Sequence, residues 1–259
     1  MWPTWQQSAV TGVICLAIGL ILTLTKRRGA PVFFELTILA GLYMIWRVAG
    51  DLPLDTMKGA VARAHRVNDL ERALHMPSEL SLQHFALRQQ WFGRFLNLYY
   101  ATMHIVSGIA FLVWLFWRHR AKYHHWRSGL AICTAACLAI RYVRVAPPRL
   151  VPSLGYIDIS TKFGMNVYGP YGTGVSDQLA AMPSIHVGWA AVVSFGIVCC
   201  STSKWRWLFL LHVIFTVLAV SATGNHWWLD GLVAMGLLYV GLQADGALRS
   251  LRRRPVPAS

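Results

Sequence analysis

The stretch WLFLLHVIFTVLAVSATGNHWWLDGLVAMGLLYVGLQADG, residues 207–246, decides the architecture. It holds two apolar runs, 207–223 and 227–246, each close to the length that carries a helix across a hydrocarbon layer of about 30 Å. Gly224, Asn225 and His226 separate them, a polar break where the chain turns back. Working toward the amino terminus, comparable runs recur near residues 8–25, 32–49, 98–117, 129–147 and 184–201. Seven spans are therefore expected. The composition agrees: 56% hydrophobic and 13% charged residues, with a mean hydropathy of +0.45, lie outside the range of an ordinary soluble domain. Because backbone groups in lipid must be satisfied within their own segment, the expected fold class is all-α, a polytopic membrane helical bundle. The first run is not read as a signal peptide, since Met1 to Val10 lacks a positive region and Lys26, Arg27 and Arg28 follow the apolar run.

The net charge of +14 would fit a nucleic-acid binder only if the basic residues formed a patch. They collect instead in short segments between apolar runs. With the amino terminus outside, one side receives Lys26, Arg27, Arg28, Arg118, Arg120, Lys122, Arg127, Lys204, Arg206, Arg249, Arg252, Arg253 and Arg254 against the single acid Asp245. The positive-inside rule makes that side cytoplasmic, and no nucleic-acid partner is expected. The long segments 50–97 and 148–183 then face outward, and so do His186, His226 and Asp230. The five cysteines all fall within expected helices, so neither a disulfide framework nor a zinc site is indicated. Most of the tryptophans lie near expected helix ends, as in an interfacial belt.

Four segments are expected: N-terminal transmembrane helices over 1–49, an extracytoplasmic amphipathic segment over 50–97, a core over 98–246 and a basic cytoplasmic tail over 247–259. Within the second, Met57, Val61, Ala64, Val67, Leu70 and Leu74 recur at spacings of three and four, giving an amphipathic helix with Asp55 as its N-cap. Met76-Pro77-Ser78 interrupts it, and a second helix containing Leu82, Phe85, Trp91, Phe92 and Phe95 follows. These helices are expected along the outer leaflet, either guiding a lipid or simply packing. The segment Tyr168 to Gly174, with three glycines and a proline, reads as a turn-rich loop suited to closing over a head group.

Three groups of residues carry the chemistry. Arg141 and Arg144 are expected in the outer half of the fourth run, where a buried charge costs at least ~2.5 kcal/mol and therefore faces a cavity, a partner or an anion. Arg149 follows Pro147 and Pro148, which end the helix and leave its guanidinium on a stiff turn able to grip phosphate oxygens. Ser184 is positioned to cap the next helix, whose amino-terminal amides and dipole favour an anion, with His186 in its first turn. Finally, His226 and Asp230 stand four residues apart, so the carboxylate can hold one imidazole nitrogen while the other faces a substrate. Arginines, a capped helix with a histidine, and a histidine–aspartate pair all emerge on one face.

These motifs resemble the type 2 phosphatidic acid phosphatase superfamily, in particular its branch related to inositol phosphorylceramide synthases, over roughly residues 95 to 246. Pro183 to His186 resembles the Pro-Ser-x-His motif, His226 to Asp230 the His-x-x-x-Asp motif, and Ala146-Pro147-Pro148-Arg149-Leu150 the variant first motif of the synthase-related branch. The resemblance implies a six-helix core with an additional N-terminal helix. It implies His226 as the nucleophile of a phosphohistidine, Asp230 as its orienting carboxylate and His186 as the general acid. It implies Arg149, with Arg144, Arg141 and Ser184, as the phosphate-binding set. No cofactor and no metal are expected, since the arginines replace a cation. Two positions depart from the family pattern: Tyr142 stands where the first motif has lysine, and Val220 where the third has arginine.

The expected function is a lipid phosphatase or phosphotransferase at the plasma membrane, with an extracytoplasmic site taking a phospholipid or prenyl phosphate. Water or an alcohol such as inositol would be the acceptor. A non-catalytic lipid transporter, with Arg141, Arg144 and Asp230 lining a head-group path, is the alternative from another class.

Overall fold

A computed structural model describes residues 3–51, 59–163 and 178–252, and among these the chain is helical with no strands. It divides into two compact units, the first holding the two N-terminal helices and the second everything from residue 59 onward.

In the first unit α1 (Trp5–Leu24) and α2 (Ala30–Asp51) form a hairpin. Thr4 caps α1 through the amide of Gln7, whose side chain returns the bond. The buried face of α1 is a row of small residues, Ser8, Gly12, Cys15 and Gly19, spaced by three and four. Gly19 lets α2 approach closely: a Cβ there would stand 3.0 Å from the Phe34 ring. The opposite face, with Val13, Ile14, Ile21 and Leu24, is more than half exposed, as a lipid-facing surface requires.

The second unit is built around α8 (Ile185–Cys200), which packs against α5 (Gln90–Arg118), α6 (Arg120–Ile140), α9 (Leu210–Ala222) and α10 (Trp228–Arg252). Glycine makes α8 a helix that neighbours can approach. A Cβ on Gly196 would meet Phe111 of α5 at 2.1 Å, and one on Gly188 would meet Cys133 of α6 at 3.1 Å. The core between them joins Leu96, Tyr100 and Leu115 with Cys133, Cys137, Val187, Ala190, Val220 and Leu238. Sixteen residues at 1.5 Å each give α8 about 24 Å, short of a full hydrocarbon thickness. Among the described residues five helical stretches are long and apolar enough to cross a membrane: α1, α2, α5, α10, and α9 together with the 3-10 turn Lys204–Phe209 ahead of it. The other two expected spans are the short α8 and α6, whose first turns carry Arg120, Lys122 and Arg127.

Three expectations are corrected. The fourth run ends as a helix at Ile140, so Arg141 is its C-cap and Arg144 lies in the following coil rather than inside a spanning helix. Proline at 147 and 148 disfavours helix before it, and Val145 instead bridges to Ala180. The amphipathic helix α3 (Ala60–Ala73) starts at Gly59, whose φ of 85° suits glycine and which supplies no side-chain cap. The expected cap Asp55 lies outside the described residues, as do Met57, the loop from Tyr168 to Gly174, and Arg253 and Arg254 of the tail. The third correction concerns the second amphipathic helix. α4 (Glu79–Arg88), capped by Ser78, stops at Gln89, and Trp91, Phe92 and Phe95 belong to the long α5. Gly93 lets the two helices meet, since a Cβ there would stand 2.6 Å from the Ala86 carbonyl oxygen.

The two ends of α8 differ in chemistry. At its carboxyl end Lys122 donates to the Cys199 carbonyl (2.8 Å) and Arg206 to that of Ser201 (3.0 Å), cations answering the negative end of the dipole. At its amino end Ser184 is the N-cap, accepting from the Val187 amide. Within this unit the basic residues Lys122 and Arg206 therefore stand at one end of α8 and Ser184 and His186 at the other.

Candidate active site

Asn225 and His226 stand in the turn between α9 and α10. Gly224 makes that turn with a φ of 70°, and the amides of Asn225 and His226 both donate to the Val220 carbonyl. His226 thus stands just ahead of α10, in the polar break between the two apolar runs. Asp230 reaches back: its Oδ2 accepts from the Trp227 amide (2.8 Å) and from His226 Nδ1 (3.2 Å). The Ala181 carbonyl lies 2.6 Å from the same Nδ1. Two acceptors on one ring nitrogen place the proton of the neutral imidazole on Nδ1, the tautomer whose lone pair is on Nε2. Asp230 is fully buried and His226 nearly so.

The histidine of the capped helix stands opposite. The rings of His186 and His226 are 5.6 Å apart between centroids. A backbone bond from the Ser184 amide to the Asp230 carbonyl (3.1 Å) ties the start of α8 to α10 and holds the two motifs in register. His186 Nδ1 is buried without a hydrogen-bond partner among the described residues. Two side chains of α5 that the motif reading missed pack on its ring: Tyr100 at 4.6 Å and His104 at 4.5 Å between centroids. They are four residues apart on one helical face, a signal present in the sequence because a histidine inside an apolar run is itself unusual.

Arg149 is close-packed and held by protein acceptors. Nε donates to Asn225 Oδ1 (2.8 Å), one terminal nitrogen to Gln178 Oε1 (3.1 Å) and the other to Asp158 Oδ2 (3.4 Å), while its amide donates to the Gly224 carbonyl. Burial pushes the Arg149 guanidinium below its ordinary value, and Asp158 partly offsets this. Arg149 therefore fastens the first-motif turn to the residue next to His226. Asn225 passes the contact on, donating to Thr223 Oγ1 (2.8 Å). The strap from Val145 to Ala146 is fixed as well: Val145 exchanges backbone bonds with Leu179 and Ala181, and Trp227 Nε1 donates to the Ala146 carbonyl (3.0 Å). The segment that holds Arg149 is thereby linked directly to the one whose carbonyl holds His226.

Arg141 and Arg144 are both buried at the exit of α6, and Arg63 Nε donates to the Arg144 carbonyl. Tyr142, at the family lysine position, is exposed, and Val220, at the third-motif arginine position, is buried in the apolar core. Gln83 of α4 was also missed: fully buried, it holds the Ala222 carbonyl and both backbone groups of Ile157, bracing the turn from the far side.

A family model described as the PAP2 superfamily matches residues 65–244. The chain belongs to the PAP2 superfamily. Membership brings a phosphatase- or phosphotransferase-type function to the chain. No match was found among curated proteins or among solved structures. The matched span begins inside α3, about thirty residues before the resemblance expected from the motifs, so α4 and most of α3 belong to the PAP2 region together with α5, α6, α8, α9 and most of α10.

Proposed function

We propose that this PAP2 protein transfers a phosphoryl group from a lipid phosphate by way of a phosphohistidine on His226. The observation that carries the reading is the double acceptor on His226 Nδ1. Ala181 and Asp230 together select the neutral tautomer whose lone pair is on Nε2 and hold the ring beside a second histidine.

In the first step Nε2 attacks phosphorus, an N–P bond forms, and the P–O bond to the leaving alcohol breaks. His186 delivers a proton to the departing oxygen. Asp230 and the Ala181 carbonyl stabilise the charge that appears on the His226 ring, since its Nδ1–H then donates from a cation. The amino end of α8, with Ser184 at its cap, and the positive charge of Arg149 face the developing charge on the phosphoryl oxygens. Arg141 and Arg144 add to that positive field from the exit of α6. In the second step His186 takes the proton from the acceptor hydroxyl, the acceptor oxygen attacks phosphorus, and His226 is released.

No step requires a metal ion, the cationic work being done by arginine and helix dipole. The substrate is a phospholipid or prenyl phosphate, and the site faces the extracytoplasmic leaflet of the plasma membrane, because the motifs and the basic segments lie at opposite ends of α8 and basic segments stay in the cytoplasm. Water as acceptor makes the protein a phosphatase. The similarity of Ala146 to Leu150 to the synthase-related branch favours an alcohol such as inositol, making it a transferase. Purified protein incubated with labelled phospholipids and prenyl phosphates, with and without polyols, decides between them. Free phosphate is the product of hydrolysis and a phosphate monoester of the added polyol that of transfer, whereas a protein that binds these lipids but converts none, under any acceptor, contradicts the proposal.

A further inference from the structure

The first turn of α10 is capped from outside its own chain segment. A helix start leaves its first amides without internal partners, and Trp227, preceding α10, has no side-chain acceptor to offer. Two glutamates supply the acceptors: Glu71 Oε1 takes the Leu229 amide (2.8 Å) and Glu79 Oε1 the Trp228 amide (3.3 Å). Trp228 Nε1 also donates to the Pro77 carbonyl (2.8 Å) in the link between α3 and α4. Both carboxyl groups have no solvent exposure. Glu79 Oε2 is met by Arg72 (2.9 Å), and the same Arg72 nitrogen stands 3.9 Å from Glu71 Oε2, which is buried with no hydrogen-bond partner among the described residues. Two fully buried carboxyl groups that converge on one guanidinium cannot both ionise without a large desolvation and repulsion cost, so one of them keeps its proton.

We propose that Glu71 and Glu79 share one proton and, as a pair, position the first turn of α10, so that Asp230 and hence His226 are held for phosphoryl transfer. They are positioning residues, and their link to catalysis rests on the function proposed above. The groups facing Glu71 are Glu79 of α4, Arg72 of its own helix, Asp230 of α10 and Tyr156 of the loop before α7 (Ile159–Lys162). Burial, and then the Glu79 carboxyl, push Glu71 up to about 9. Its ordinary value is near 4.3, so the folded protein keeps a proton that the unfolded chain has lost across that interval. The stabilising contribution is complete at low pH and disappears as pH rises through about 9. There the pair becomes two charges facing Asp230, and the helix start loosens.

Glu71→Gln separates this device from plain packing. The amide oxygen still accepts from Leu229, its N–H₂ donates to Glu79, and the group cannot ionise. The variant is expected to keep wild-type turnover at neutral pH while losing an alkaline fall in kcat centred near 9. Glu71→Ala, which removes both bonds, should lower kcat about tenfold with little change in KM. Infrared difference spectra of wild type minus Glu71→Gln supply a readout independent of activity, namely a protonated-carboxyl carbonyl band present at pH 7 and gone above the alkaline transition. Absence of that band, or an unchanged alkaline limb in Glu71→Gln, overturns the proposal. The band without any phosphoenzyme leaves the pair intact and counts against the proposed function instead.

Discussion

Replacing Asp230 by asparagine separates two roles that a carboxylate partner of histidine usually combines: setting the ring tautomer and stabilising the ring's charge. In a triad where the carboxylate alone sets the tautomer, the same change lowers turnover by about 10⁴. Here the tautomer has a second determinant. The Ala181 carbonyl lies 2.6 Å from Nδ1, and the Trp227 amide, donating to Oδ2, requires an oxygen at the place of that atom. An asparagine is therefore oriented with its oxygen toward both His226 and Trp227, and its amide group takes the place of Oδ1, which has no hydrogen-bond partner among the described residues. What is lost is the difference between a charged and a neutral acceptor, about 1–2 kcal/mol, or roughly 5- to 30-fold in the rate of phosphoenzyme formation. Asp230→Ala removes the acceptor from both donors and should cost about 10²–10³-fold. The assay is single-turnover labelling from a radioactive lipid phosphate, with both variants checked by thermal unfolding. A fall of about 10⁴ in folded Asp230→Asn would refute the reasoning, because it would mean that the Ala181 carbonyl does not hold the ring.

His186→Ala should slow phosphoenzyme formation from alkyl phosphates by about 10²–10⁴ yet spare a substrate with a phenolate leaving group, which departs without a proton; equal losses on both would remove His186 from the acid role. Trp227→Phe keeps most of the buried volume but strips the Ala146 carbonyl of its donor, so thermal unfolding should show a loss of about 1–3 kcal/mol, and an unchanged midpoint would contradict the strap's importance. Cysteine at Ser153, an exposed position, should react with an impermeant thiol reagent on intact cells while cysteine at Ser259 should not; the reverse pattern would move the site to the cytoplasm.

Much of the bundle was legible because membrane spans are long and apolar, and the boundaries that failed did so for local reasons. Ile140 ends α6 although apolar residues continue, since Val145 finds a backbone partner at Ala180, which hydropathy does not record. Ser184 as a cap and the His226–Asp230 contact were readable, each depending on residues within a few positions. Ala181 was not, because its carbonyl reaches His226 across forty-five positions and any residue type could supply it. Glu71 and Glu79 were hidden differently. Charges on amphipathic helices are ordinarily solvated, yet both of these are fully buried against the amides of α10. Arg149 was readable as a candidate from Pro147-Pro148-Arg149, but its hold on Asn225, Gln178 and Asp158 depends on tertiary placement.

The central claim is that His226 carries the phosphoryl group. Purified protein quenched during turnover of a labelled lipid phosphate, digested under alkaline conditions and sequenced by mass spectrometry, tests it most directly. The account predicts an acid-labile, alkali-stable phosphate on the peptide containing His226, absent from His226→Ala. Phosphate found on another residue, or undiminished turnover by His226→Ala, would contradict it.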